Sequence, residues 1–385
     1  VLTSGNTQEY LIPGDAETAF LRSNDYLDRY LFSQNVEFTD SNVEGRGLID
    51  ILELKLERSS TALKYNDILG TGSQPKSVEF SPDGDYIAVA LLNGEGVEIY
   101  SLENMELYST LIPPEKWSKK KGFVETVFFT TRNELWVSQM TTGLIHVFDT
   151  EKWIYIRSFF SGGLWPKVIT LNKNEDKAYI SNWLSQNISV VDTKNYEVKI
   201  TIEVNGVPRG MAVSPDEKYL YVANFTSGDI NKISLDSNKL VDNIDLGDGA
   251  LRHIVISEDS NMLYVADMYY GKVTSIDIST DKVKNSFYAG SNVNTIKLSP
   301  SGTKLFISSR GRNSENGYLH KGPEFGKIFM YDTLQKKITD WTWGGNQPTG
   351  LAISPDGKML VFTDFLDDRV EVYNIQSLSG NGLFP

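Results

Sequence analysis

Residues 211–223 read MAVSPDEKYLYVA, and the phrase recurs along the chain. Residues 78–90 read VEFSPDGDYIAVA, 254–266 IVISEDSNMLYVA, 296–308 IKLSPSGTKLFIS and 351–363 LAISPDGKMLVFT. Two weaker copies stand at 127–138 (VFFTTRNELWVS, one residue shorter) and 169–181 (ITLNKNEDKAYIS). Aligned on Ser81, Thr130, Asn172, Ser214, Ser257, Ser299 and Ser354, they follow at intervals of 49, 42, 42, 43, 42 and 55 residues. Four intervals agree to within a residue, and the two longer ones hold insertions. A repeat of this length is the mark of a stacked or ring-shaped architecture, one supersecondary unit per copy.

Each unit is written in strands. An alternating apolar run leads into a Ser-Pro-Asp-Gly type turn, where Pro presets φ and Gly accepts φ > 0. A second run follows, as in Tyr219–Ala223, then a polar loop and a third run, such as 97–102, 144–149, 188–192, 273–277 and 370–375. A fourth closes the unit, as at 239–246 and 282–289. Four short antiparallel strands per repeat is the content of a propeller blade, and a hydrophobic period of two argues against helical hairpins.

The wording of the second run carries a resemblance. Tyr179-Ile180-Ser181-Asn182, Tyr221-Val222-Ala223-Asn224 and Tyr264-Val265-Ala266-Asp267 resemble the YVTN repeat, in seven copies over about residues 61–385. The Gly-His and Trp-Asp marks of WD40 and a regular kelch double Gly are absent. The resemblance implies an all-β, seven-bladed β-propeller of the kind found in bacterial and archaeal surface-layer and surface-antigen proteins, sometimes beside immunoglobulin-like domains.

Strand counting sets the closure. The last repeat supplies three strands, and 62–69 (ALKYNDIL) precedes the first repeat as 282–289 precedes the sixth. We therefore expect 62–69 to be the outer strand of the last blade, within a propeller spanning 59–385. Residues 1–58 form a separate N-terminal β-rich module with three open readings: part of an immunoglobulin-like sandwich, a degenerate extra repeat that would make eight blades, or a helical cap around 15–32. The chain opens on Val1, which fits a removed leader or a trimmed chain.

Composition narrows the partners. The 385 residues carry 37 Lys+Arg against 50 Asp+Glu, a net charge of −13, which disfavours a broad nucleic-acid footprint. No apolar run is long enough for a membrane-spanning helix. With no Cys, a disulfide framework, a thiolate metal site and a Cys nucleophile are excluded.

Against that background, the inner-strand position five before each anchor stands out: Lys76, Glu125, Lys167, Arg209, Arg252, Asn294 and Thr349. Cations focused in a concave low-dielectric site attract anions; the plainer alternative is pairing with carboxylates such as Glu125 or Asp267. A second ring ends the second strands: Leu91, Gln139, Asn182, Asn224, Asp267, Ser309 and Asp364. Beyond it come Leu92, Met140, Trp183, Phe225, Met268, Arg310 and Phe365, large groups at loop positions that either pack or bind. From these rings Lys76, Lys167, Arg209, Arg252, Asn182, Asn224, Asp267, Trp183, Phe225, Arg310 and Phe365 are the candidate ligand-binding residues. Insertions at 112–122, with Trp117 and Lys119–Lys121, and at 311–326 decorate the same face.

Catalytic signatures are missing. His146, His253 and His320 have no ligand spacing, and no HExxH, G-x-S-x-G, P-loop or dinucleotide fingerprint occurs. No catalytic residue, metal or cofactor is assigned. The leading reading is a non-catalytic binding, adhesion or scaffolding protein of the bacterial surface, outer membrane or periplasm, or secreted from the cell. Its partner would be an extracellular or periplasmic protein, a glycan or a small anionic ligand. The alternative is a lactonase-like hydrolase with its site at the propeller mouth, since related seven-bladed propellers include lactonases.

Overall fold

The computed structural model describes Ser60 and residues 62–258 and 261–376. The expected module at 1–58 lies outside these residues. Within them the chain forms seven four-stranded antiparallel sheets. Blades 1 to 6 each take four consecutive strands, with inner strands Pro75–Phe80, Phe123–Phe128, Pro166–Leu171, Pro208–Val213, Leu251–Ile256 and Val293–Leu298. Each inner strand packs on the next, and that of blade 7, Pro348–Ile353, packs on both blade 6 and blade 1, so the sheets circle one axis.

Blade 7 closes the ring as the strand count predicts. Leu63–Gly70 pairs antiparallel with Arg369–Ile375, running from Leu63 opposite Ile375 to Gly70 opposite Arg369. The closing strand thus comes from the other end of the chain and leaves the ring without an open seam. Ala62 and Leu63 bury against Phe362 and Tyr373, which makes closure a hydrophobic contact as well as a ladder.

The repeated phrase is mainly turn chemistry. In blade 1 the Ser81 hydroxyl accepts the Tyr86 N–H at 3.0 Å, and Asp83 accepts from the same hydroxyl. The same bond recurs from Tyr219 to Ser214 at 2.9 Å, from Lys304 to Ser299 at 3.1 Å and from Met359 to Ser354 at 2.8 Å. Gly84 and Gly357 supply the left-handed residue, with φ of 81° and 73°. A short polar side chain thus satisfies backbone groups that the hairpin leaves open. We call the end of the axis that carries these turns the bottom, and the opposite end, where inner strands begin, the top.

One alignment needs correction. In blade 2 the bond that marks the anchor, donated to the carbonyl five residues on, comes from the Phe129 N–H to Glu134. The strand register agrees: Phe123 opposes Gln139 as Pro75 opposes Leu91. The structural anchor is therefore Phe129, one residue before Thr130. Val124 takes the place expected for Glu125, and Glu125 sits one position further along, level with Ser77 and His253. Counted from Phe129 the copy runs over 126–138 at full length, so its one-residue shortening comes from the misplaced anchor.

Inner strands converge tightly at that level. A methyl group on Gly210 would stand 2.8 Å from the Cα of His253, and one on Gly350 would stand 2.7 Å from the Cα of Ser77. Close approach, not turn conformation, explains these glycines.

Candidate functional site: the axial channel

The side chains at the top of the channel pack against one another. Leu92, Val124, Met140, Trp165, Trp183, Val207, Phe225, Ala250, Met268, Tyr318 and Phe365 form one contiguous buried cluster drawn from all seven blades. Trp183 and Phe225 lie with ring centroids 5.0 Å apart, and Tyr318 stacks on Phe365 at 6.2 Å. The outer ring expected from the sequence is therefore a collar of packed side chains. Tyr318 has no counterpart in the repeats. It arrives on the 311–326 insertion, which folds over the axis and is tied down by Lys321 to Asp367 at 3.0 Å and by the Gln347 amide donating to the Tyr318 carbonyl.

Two of the expected cations are buried against this collar. The Lys167 amine lies 5.3 Å from the Trp183 ring centre and 5.5 Å from that of Trp165. Lys76 lies 4.8 Å from Phe365 and 5.6 Å from Tyr318. Arg310 also faces Tyr318, at 5.2 Å, and donates to the Gln347 side chain. Desolvated ammonium and guanidinium groups over aromatic faces gain cation–π stabilisation of roughly 2 kcal/mol.

The amide and carboxylate ring fixes loops. Asn182 accepts from Ser161 at 3.0 Å and donates to Asn187 and Ser189, both at 2.9 Å. Asn224 donates to Asp229 at 2.9 Å. Asp267 accepts the backbone N–H groups of Ala250, Tyr269 and Tyr270 and lies 3.7 Å from Lys272. Burial lifts its pKa above the usual aspartate range, against those bonds. Asp364 accepts from Gly345 and pairs with Arg369 at 2.8 Å. Each ring member joins the end of its own second strand to neighbouring connections. Asp267 and Asp364 are each held within their own blades.

Below the collar the axis is charged. Arg209 of blade 4 pairs with Glu125 of blade 2 at 3.1 Å, reaching past blade 3. Arg252 donates to Asn294 in the next blade. Lys297 of blade 6 pairs with Glu79 of blade 1 at 2.9 Å. Only the small Ala352 of blade 7 stands at that level between them, since all three occupy the position two before the anchor. The seven inner strands hold no other charged side chains, so Lys76, Lys167, Arg209, Arg252 and Lys297 outnumber Glu79 and Glu125. This excess of cations lies inside a chain of net charge −13.

His253 stands among them. Burial first, then Lys297, Arg209 and Arg252, pushes its pKa well below the usual histidine value. The imidazole is therefore neutral at physiological pH. Burial opposes the charge on Lys297, but Glu79, by charge and hydrogen bond, and Glu125 hold its pKa above the ordinary lysine value. The Lys297 and Glu79 side chains remain 30% and 33% exposed to the channel space, although protein surrounds them.

The bottom holds a cavity. A cavity of about 600 Å³ runs between the inner strands of blades 3, 4 and 5, lined by Val168, Ala212, His253, Val255 and Lys297, with Lys173, Glu217 and Glu258 at its rim. Lys297 and Glu79 were not singled out from sequence. The signal was present, because they share one repeat position, but the reading stopped at the strand's first residues. Tyr318 had no such signal, being in an insertion. Among the described residues no group of three or more His, Asp or Glu side chains is placed to hold a metal.

Similarity to known proteins agrees with this architecture. The sequence signature of the family described as lactonase, 7-bladed beta-propeller, matches residues 241–381. The hydrazine synthase of Kuenenia stuttgartiensis superposes with a TM-score of 0.67 over 78% of this chain and 95% of that chain, at 18% identity, a likeness of fold alone. Antigen Lp49 of Leptospira interrogans is 39% identical over 329 residues, which is 83% of this chain and 71% of that protein. At that identity and coverage, the chain belongs to the family of antigen Lp49, and the seven-bladed propeller is its fold.

Proposed function

We propose that this propeller, of the YVTN-repeat type, is a non-catalytic binding or adhesion protein of the bacterial surface or periplasm. Its top rim would engage an extracellular protein or glycan. The observation that carries this reading is the packed top. Six of the seven large side chains expected at the mouth are buried in the collar, Arg310 is buried beside it, and the ring beneath is occupied in holding loops. An enzyme mouth needs convergent polar groups with room for substrate. A packed collar instead gives a rigid platform for the loops around it. Those loops carry a half-buried Trp117, with Lys116 at 4.7 Å and Lys120 at 5.8 Å from its ring. The name of the relative, an antigen, supports exposure outside the cytoplasm. No helix among the described residues is long and apolar enough to cross a membrane.

The hydrolase alternative draws on the lactonase signature over 241–381 and on the perturbed His253 within it. The two readings separate by experiment. The intact chain is tested on an array of glycans and extracellular proteins, and in parallel for hydrolysis of simple lactones. Saturable binding that is lost on Trp117→Ala, without lactone turnover, supports the binding reading. Turnover that is lost on His253→Gln refutes it.

A further inference from the structure

We infer that the 112–122 insertion, on the top rim between blades 1 and 2, docks an acidic polysaccharide whose carboxylate or sulfate groups meet Lys116, Lys119, Lys120 and Lys121. This partner class rests on the reading of the rim as a binding surface.

Three observations carry it. The first is charge. Four lysines fall within residues 116–121, against Glu115 in the same loop and Glu95 beside it. Lys116 and Lys120 lie over the Trp117 ring, and neither makes an ion pair among the described residues. Lys121 donates to the Asn93 side chain at 2.8 Å. Lys119 pairs with Glu95 at 2.9 Å, but both side chains are exposed, where a single pair contributes little and an incoming anion competes for the amine. In the other top insertion the cations are paired, Lys321 with Asp367 at 3.0 Å and Arg312 with Glu324 at 3.6 Å. At physiological ionic strength charges beyond about 8 Å are screened, so the local cluster decides and the net charge of −13 does not. The second is rigidity. The fully buried Gln139 side chain donates to the carbonyls of Trp117 at 2.8 Å and Lys121 at 2.7 Å. It accepts from His146 at 2.9 Å and Thr142 at 2.7 Å, so its amide is fully used in clamping the loop. Lys121 and Gly122, with φ of 51° and 84°, then turn the chain into blade 2. Amines fixed before contact lower the ordering cost of binding. The third is the lack of an apolar face. Among residues 112–122, Ile112 is the only exposed large apolar side chain, and Trp117 is half-buried with two amines over its ring. Lying in a membrane surface needs an apolar face, and a protein interface needs an apolar core. A hydrated polymer with repeated anionic groups needs neither, and a row of fixed amines suits it.

The test is surface plasmon resonance of the full chain on immobilised heparin, hyaluronan and neutral dextran, with phosphatidylserine and phosphatidylcholine vesicles as lipid arms. Saturable binding to heparin or hyaluronan is expected, at least tenfold tighter than to dextran or to either vesicle, and weakening as salt is raised above physiological strength. Heparin and hyaluronan distinguish sulfate from carboxylate as the recognised group. The double variant Lys116→Gln with Lys120→Gln should weaken binding at least tenfold. Lys152→Gln with Lys194→Gln removes the same charge from exposed turns at the bottom and should leave binding unchanged. Thermal melts check that both variants keep the fold. No binding to either acidic polysaccharide overturns the inference, and so does tighter binding to phosphatidylserine vesicles or an equal loss in the two double variants. A neutral glycan or a protein that binds in their place, and is lost on Trp117→Ala, overturns the acidic partner and leaves the rim as a binding surface. If nothing binds through Trp117, both fall.

Discussion

The two ends of the propeller axis are built from the same repeat and differ in what the inner strand brings to them. At the top, aromatic and aliphatic groups from every blade meet in one cluster, and the cations there lie against rings. At the bottom, the ring two residues before the anchors mixes charged Glu79 and Lys297 with Val127, Thr170, Ala212, Val255 and Ala352, and a cavity remains. The lesson is that closure and opening along one axis are set position by position within the repeat. The top is a packed collar and the bottom keeps a cavity.

This contrast can be broken or sharpened by substitution. The largest effect belongs to the seal. Trp183 is fully buried, and Trp183→Ala should cost about 3–5 kcal/mol in urea unfolding. A loss below 1 kcal/mol would mean that the collar is loosely packed. At the bottom, Glu175 of blade 3 clamps the turn of blade 2, accepting from the backbone and hydroxyl groups of Thr130 and Thr131 at distances from 2.5 to 2.9 Å. Glu175→Gln should cost about 1–3 kcal/mol, since hydrogen-bond donors lose a charged acceptor.

The same residue predicts an acid limb. Burial would raise the Glu175 pKa, but the bonds from Thr131 and Thr130 outweigh it and hold it below the ordinary glutamate value of 4.5. A depressed carboxylate contributes stability above its unfolded pKa, and that contribution fades as pH falls below 4.5 towards the folded value. Thermal melts from pH 7 downward should therefore show a shallower decline in Glu175→Gln than in the parent. Parallel curves would contradict the clamp.

Smaller still is the turn signature. Ser354→Ala removes the acceptor for the Met359 N–H and should cost about 1 kcal/mol. The double variant Lys297→Met with Glu79→Gln should lie near zero, because a pair removed together leaves no unpaired charge. A large loss there would show that the bottom ion pair is a structural lock and not part of an open site.

Much of this was legible in the sequence, and the boundary is physical. The Ser-Pro-Asp-Gly turns and the alternating runs are local, so they announced blade number, strand order and even the closing strand from Leu63 to Gly70. Trp183, Phe225 and Phe365 were found as a set because they share one repeat position. Whether that set faced solvent or itself was not local. Trp183 and Phe225 meet across a blade boundary, and Phe365 is covered by Tyr318, which a non-repeating insertion delivers from elsewhere. The blade 2 register slipped by one residue because its structural anchor is Phe129, while Thr130 beside it is the residue that looks like the serine or asparagine of the other turns. Lys297 and Glu79 meet only because the ring closes, with blade 7 between them, and no spacing along the chain expresses that distance.

The most direct measurement uses the absence of Cys from the chain. One cysteine is introduced at Ala212, in the bottom cavity, and in a second variant at Ala250, which is fully buried in the collar. Each is then reacted with a small maleimide under native conditions. If the bottom is open and the top sealed, Ala212→Cys is labelled at close to the rate of an unfolded control, while Ala250→Cys is protected by several orders of magnitude until denaturant is added. Rapid labelling at Ala250 with protection at Ala212 would reverse the two ends and contradict the account.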